Sequence, residues 1–291
     1  MKIDYIKKIK ANISIYASKK TSNILDGEYK SIYKGRSLDF DDLREYVIGD
    51  DIKYIDWKSS ARSGKTLIRR YIAEKKHNIL FVLDTGKKML GDTKKIEPKK
   101  ELAIMTMGTL AYLVNHHGDM IGSMYSTYKG LQYYPLKTGI QNIQKMIYHY
   151  ESDIDKDTGR NLNDILIHIS QYMKRKMIIF IITDIAGIEN IQEDVLKKLT
   201  IQNDVMVMNI SDADITGNRG YDMDNESYIP EIILKDMKLH NIEEKIKNQL
   251  YEAAFKKFKK YKISMVTIDE EKEIVNKIIE LLERHKNANI R

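Results

Sequence analysis

Two aspartates stand where a chain of this kind could do chemistry. Asp84 ends the apolar run Asn78-Ile-Leu-Phe-Val-Leu, and Asp184 follows Met177-Ile-Ile-Phe-Ile-Ile-Thr183. Continuous apolar runs of this length read as strands buried on both faces. In an open, mostly parallel sheet, ligands bind at the carboxyl ends of the strands, where strand order reverses. Two carboxylates brought there from distant sequence would converge on one crevice and suit a cation. A second concentration of polar groups lies between Gly35 and Glu74. It holds Arg44, Glu45, Tyr46, Asp50, Asp51, Asp56, Lys58 and Arg62 around the only tryptophan, Trp57. So many opposed charges beside one aromatic read as an interaction surface, with Trp57 expected as a buried anchor.

Other patterns are weaker. Ser63-Gly64-Lys65-Thr66 has the end of a phosphate-binding loop, but Ser59 stands where its first glycine belongs and a strand pattern follows. The acidic run from Asp153 to Asp164 resembles a calcium loop with Thr158 in place of the required glycine, and reads as a linker. Asp212 and Asp214 lack a closing ligand, since Met223 holds that position. The seven histidines form no metal-ligand spacing, and no Gly-x-Ser-x-Gly elbow occurs. The absence of cysteine excludes disulfides, thiolate catalysis and Cys-based zinc sites.

The elements that would position these residues follow an alternating pattern. From residue 77 on, strands near 78–84, 120–125, 131–134, 177–183, 205–210 and 263–268 alternate with helices near 98–118, 140–150, 162–174, 192–199, 239–261 and 271–284. This implies an α/β fold with a mostly parallel sheet and helices on both faces. Residues 1–76 break the pattern and read as a small appendage, helical over 4–20 and extended over 66–74. They hold 18 Lys/Arg against 11 Asp/Glu, whereas residues 77–291 hold 31 of each. The chain's net charge of +7 therefore belongs to its first quarter. No run reaches the ~18 apolar residues a bilayer requires, and no signal-like segment opens the chain. A soluble, cytoplasmic protein is expected.

The segment from Gly35 to Glu74 also resembles the signature of the bacterial family known as domain of unknown function fifty-eight. The matching residues are Gly35-Arg-Ser-Leu-Asp-Phe40, Leu43-Arg-Glu-Tyr46, Gly49-Asp-Asp51 through Ile55-Asp-Trp57, and Ala61-Arg62, with Lys53 at a usual arginine. The resemblance implies a Rossmann-like von Willebrand factor A domain over 77–291, whose Mg²⁺ site carries Asp-x-Ser-x-Ser, a threonine and a later aspartate. Asp84, Thr138 and Asp184 match the aspartates and the threonine, while Gly86 and Lys88 replace both serines. Losing two hydroxyl ligands disfavours an ion that wants near-octahedral oxygen. A lysine ammonium ~4 Å away adds roughly 4 kcal/mol of repulsion per unit of ion charge at an effective dielectric near 20. No cofactor is expected; Lys88 itself becomes the candidate cation. The resemblance further implies a non-enzymatic adaptor working beside a MoxR-type AAA ATPase. Two other classes remain: a metal-dependent hydrolase at Asp84 and Asp184, and a nucleic-acid module using residues 1–76.

Overall fold

A computed structural model describes residues 4–17, 29, 40–71, 76–154, 161–216, 221–222 and 227–289. The chain divides into two compact units, Gly27–Lys76 and the remainder, so that residues before and after the signature segment share one unit.

The larger unit begins with α1 (Tyr5–Ala17) and resumes at β3 (Asn78–Leu83). Then follow α3 (Lys99–His116), β4 (Met120–Thr127), β5 (Gly130–Lys137), α4 (Ile140–Asp153) and α5 (Leu162–Tyr172). The chain continues through β6 (Ile178–Thr183), α6 (Ile185–Glu189), α7 (Glu193–Gln202) and β7 (Asp204–Ile210). It closes with α8 (Glu231–Leu234), α9 (Met237–Lys260), β8 (Ser264–Ile268) and α10 (Ile274–Asn289). The smaller unit contains β1 (Phe40–Glu45), α2 (Trp57–Ser63) and β2 (Leu67–Tyr71).

The six-stranded sheet runs β8-β7-β6-β3-β4-β5. All neighbours are parallel except β4 and β5, which form a hairpin turning at Gly130, φ +106°. The central strands are apolar on both faces because both are covered. Leu80, Val82, Ile179, Ile181, Val205 and Val207 pack with Leu166 of α5, Val195 of α7 and Phe258 of α9. On the other face α3 lies on β6 and β7, while α10 packs on β8 and α3. Phe81 and Phe180 stack there at 5.8 Å between ring centroids.

The expected boundary at residue 76 is corrected in one respect. Helix α1 does not belong with the signature segment; it packs on α3 of the α/β unit. Tyr5 and Ile9 are buried, and Gly108 of α3 makes the contact possible. A Cβ at Gly108 would stand 2.4 Å from Ile9 Cδ1. Lys8 and Asn12 both bond Glu271, at 2.5 and 2.8 Å. The burial of an apolar stripe, not the surplus of lysines, decides where this helix goes.

Replacing Ile9 by Ala should therefore destabilise the protein by about 2–5 kcal/mol, the range for large-to-small changes in a core. A helix merely appended at the surface would give no more than ~0.5 kcal/mol. Urea unfolding of the single variant decides between them.

Candidate functional site: a lysine-bridged crevice

Strands β3 and β6 are adjacent and parallel, in register from Ile79 with Ile178 to Leu83 with Ile182. Asp84 and Asp184 therefore leave the same edge side by side. Both are buried. One ammonium joins them: Lys88 Nζ lies 2.8 Å from Asp84 Oδ2 and 2.7 Å from Asp184 Oδ1. Lys88 is delivered by a short 3₁₀ turn, Lys87–Leu90, directly after β3.

A second lysine extends the bridge. Lys99, 1% exposed, donates to Asp184 Oδ2 at 2.7 Å and also to Asp212, which follows β7. Three loops from three neighbouring strands thus share two cations. Backbone donors fill what remains. Gly86 N–H donates to Asp84 Oδ1 at 3.0 Å, and Gly187 N–H to Asp184 Oδ1 at 2.9 Å. The Thr183 hydroxyl donates to Asp84 Oδ2 at 2.6 Å, and the Tyr150 hydroxyl to the Asp84 carbonyl at 2.8 Å.

Electrostatics follow from this geometry. Burial pushes the Asp184 carboxyl up, but the Lys99 and Lys88 ammoniums outweigh it and hold it below the usual carboxylate range. Burial likewise lowers Lys88, and Asp84 with Asp184 more than restore it. Asp212 goes the other way: burial raises it, the Lys99 charge only partly offsets this, and Asp184 adds to the rise. The Tyr150 phenol is pushed well up by burial and by the two aspartates, so it stays a donor.

The residues do not fit Mg²⁺. Every oxygen of Asp84 and Asp184 already accepts a hydrogen bond from the chain, and a cation stands between them. Gly86 offers no hydroxyl. A Cβ at Gly187 would lie 2.8 Å from Lys88 Nζ, 2.9 Å from Asp84 Oδ2 and 2.0 Å from Thr183 Oγ1, so the backbone closes the remaining space. Among the described residues no group of three or more His, Asp or Glu is arranged to hold a metal ion.

Thr138 is not brought to the crevice. The β4–β5 hairpin returns the chain to the opposite edge, where Lys137 pairs with Ile121 at the start of β4. Thr138 is exposed there, before Gly139 opens α4. The sequence does not single out Lys99, Thr183 or Tyr150, and Asp212 enters it only through an incomplete calcium-like run. One signal for Lys99 was present: a cation in the first turn of a helix opposes the macrodipole and calls for a buried acid. Of the acidic run 153–164, residues 155–160 lie outside the described residues; Asn161 caps α5 by accepting from Asp164 N–H at 3.0 Å.

The signature residues form a separate, hydrogen-bonded scaffold. β1 and β2 pair antiparallel, Glu45 with Leu67 and Leu43 with Arg69. Arg44 donates to Asp50 at 2.6 Å while Asp50 accepts Val47 N–H at 3.0 Å, which closes a turn at Gly49, φ +108°. Asp51 caps a 3₁₀ turn by accepting from Lys53 N–H, and pairs with the Lys53 ammonium at 2.7 Å. Asp56 caps α2 through Ser59 N–H at 3.0 Å and takes Arg69 Nε at 2.9 Å. Its carboxyl is held below the usual range by the Ser59 amide first and then by Arg69. Glu45 pairs with Lys65, and Ser60 ties α2 to β2 by accepting from Leu67 N–H at 2.8 Å.

Trp57 is not the expected buried anchor: it is 67% exposed. Asp56, the residue before it, takes the interior place as helix cap. Val47, Ile48, Ile52 and Tyr54 are exposed in the same segment. Tyr46 is half-buried, and Lys58 and Arg62 on α2 are exposed with no ion pair among the described residues.

A parallel sheet with a charged crevice at its carboxyl edge, preceded by a turn-rich hairpin of this pattern, defines the class. The chain belongs to the family described as protein of unknown function DUF58, which matches residues 42–216. A curated relative, "Uncharacterized protein Rv1480" of Mycobacterium tuberculosis, is 23% identical over 135 residues, 46% of this chain and 42% of the relative. The chain thus matches about two fifths of that relative's length. Among solved structures, a von Willebrand factor type A protein from Catenulispora acidiphila is 10% identical at a TM-score of 0.40, covering 73% of this chain and 43% of that one. The SpRpn10 VWA domain is 11% identical at 0.37, covering 69% and 95%. No described helix is long and apolar enough to cross a membrane.

Replacing Asp184 by Asn leaves Lys99 and Lys88 short of a buried counter-charge. The loss at pH 7 should be about 3–5 kcal/mol, the scale of a broken buried pair. Because the native carboxyl is depressed, its contribution is present above the ordinary carboxylate pKa and fades as pH falls through the native value. Urea unfolding at pH 7 and near pH 3 should show the deficit narrowing in acid. An unchanged deficit would show that the charge of Asp184 does not carry the effect.

Proposed function

We propose that the chain is a protein-interaction adaptor whose contact surface is the signature hairpin. The carrying observation is the exposure of Val47, Ile48, Ile52, Tyr54 and Trp57 in one short segment, beside the exposed cations Lys58 and Arg62, which make no ion pair among the described residues. Exposed apolar residues gathered in one place and rimmed by polar groups mark interaction sites, and Trp with Arg is the composition of binding hot spots. The neighbouring charges are already spent on turns and caps, so the hairpin keeps its shape while Val47, Ile48, Ile52 and Trp57 stay exposed.

The family resemblance supplies the partner to test, a MoxR-type AAA ATPase, in chaperone-like remodelling or assembly. An adaptor needs no chemistry of its own, and the donor-saturated crevice supports that reading over a metal-dependent hydrolase. The aromatic and cationic groups would also stack on bases, so nucleic acid is the rival for the same surface.

Trp57→Ala, Lys58→Ala and Arg62→Ala should leave the melting temperature unchanged, because none of the three is buried. Trp57→Ala should weaken capture of a purified MoxR-type ATPase by about tenfold or more, the size of a 1.4 kcal/mol hot-spot loss. Capture is measured with and without ATP. Losses that track melting in proportion would reduce the signature to a folding device. Tight binding to DNA or RNA that falls steeply with salt would favour the nucleic-acid reading.

A further inference from the structure

We infer that Lys88 is a resident cation in the place a divalent ion would take, which makes the carboxyl-edge crevice permanently closed and indifferent to metal. The inference is independent of the partner proposed above. Three observations carry it. The ammonium contacts one oxygen of each aspartate, 2.8 and 2.7 Å away, as a bridging ion would. Gly187 lets the backbone approach so closely that any side chain there would collide with Lys88, Asp84 and Thr183. The lysine is tethered by only four residues to the first of the two carboxylates it joins. A tethered cation needs no free-ion concentration, and a chelator cannot remove it.

The same geometry says what lies beneath the lysine. Without its ammonium, Asp84, Asp184 and the Thr183 hydroxyl face one another across a space with an uncompensated negative charge. Oxygen donors of this kind are what Mg²⁺ and Mn²⁺ take. Gly86, whose N–H bonds Asp84 Oδ1, and Lys88, whose ammonium bridges the pair, are the positions of the turn after β3 that touch these carboxylates, so hydroxyls are tested there. Lys88 is therefore the side chain standing where a divalent ion would bridge the pair, while Lys99 stays on Asp184 Oδ2.

The test uses the full chain and Mn²⁺ or Mg²⁺ alone. The natural protein should show no binding heat in the micromolar range, and its melting temperature should change neither with excess metal nor with EDTA. The double variant Gly86→Ser, Lys88→Ser should bind Mn²⁺ in the micromolar range and melt higher as Mn²⁺ is raised, since a ligand of the native state stabilises it by mass action. If that variant is unfolded without metal, refolding in Mn²⁺ becomes the readout, and recovery of native circular dichroism supports the inference. Micromolar binding by the natural protein, a drop in melting with EDTA, or a double variant neither bound nor rescued by Mn²⁺ would each overturn it.

Discussion

The bond on which the α/β unit's functional edge depends is the bridge from Lys88 and Lys99 to Asp184. Three buried or half-buried carboxylates at one sheet edge would repel and resist burial. Two ammoniums, each shared between two of them, turn that liability into cross-links between the loops after β3, β6 and β7. Such pairs do not add stability freely, because desolvating ions offsets much of their attraction. What they do is fix geometry: removing any one member leaves a charge without its partner, so the loops have one arrangement that satisfies all of them.

The signature hairpin solves a different problem. Its described residues offer little core, with Asp56 and Ile68 its buried groups besides Tyr29. Shape comes instead from side chains bonded to nearby backbone: Asp50 to Val47, Asp51 to Lys53, Asp56 to Ser59, and Ser60 to Leu67. These are the Asx turns and caps that short polar residues form most readily. Asp50, Asp51 and Asp56 are thus conformational, while Val47, Ile48, Ile52 and Trp57, of types usually interior, are at the surface.

Much of the fold was legible. The runs around Ile79 and Ile178 are apolar at every position, which only a strand covered on both faces tolerates. Their terminal aspartates pointed to one edge, and Lys88 was visible as a cation in a place where hydroxyls would serve a metal. Legibility failed where tertiary placement decides. The Lys129-Gly130 turn reads as a hairpin in the sequence, yet Thr138 is placed by resemblance alone, and the returning β5 carries it to the far edge. Lys99 meets Asp212 only because β7 lies beside β6. Trp57 was expected inside because large aromatics usually are; the cap formed by its neighbour Asp56 sets it outside. The basic first helix concealed an apolar stripe sufficient to bury it.

That helix has a kinetic meaning. Ile9 meets Gly108 across about 100 residues of chain, and the signature hairpin lies wholly within the loop so closed. Long loops close at an entropic disadvantage that grows slowly with length but must be met before the contact rewards it. Helix α1 is therefore a clasp that shuts late, after the sheet and α3 have formed a surface for it. Its release would uncover the face of α3 around Gly108 without breaking any strand pairing of the central sheet.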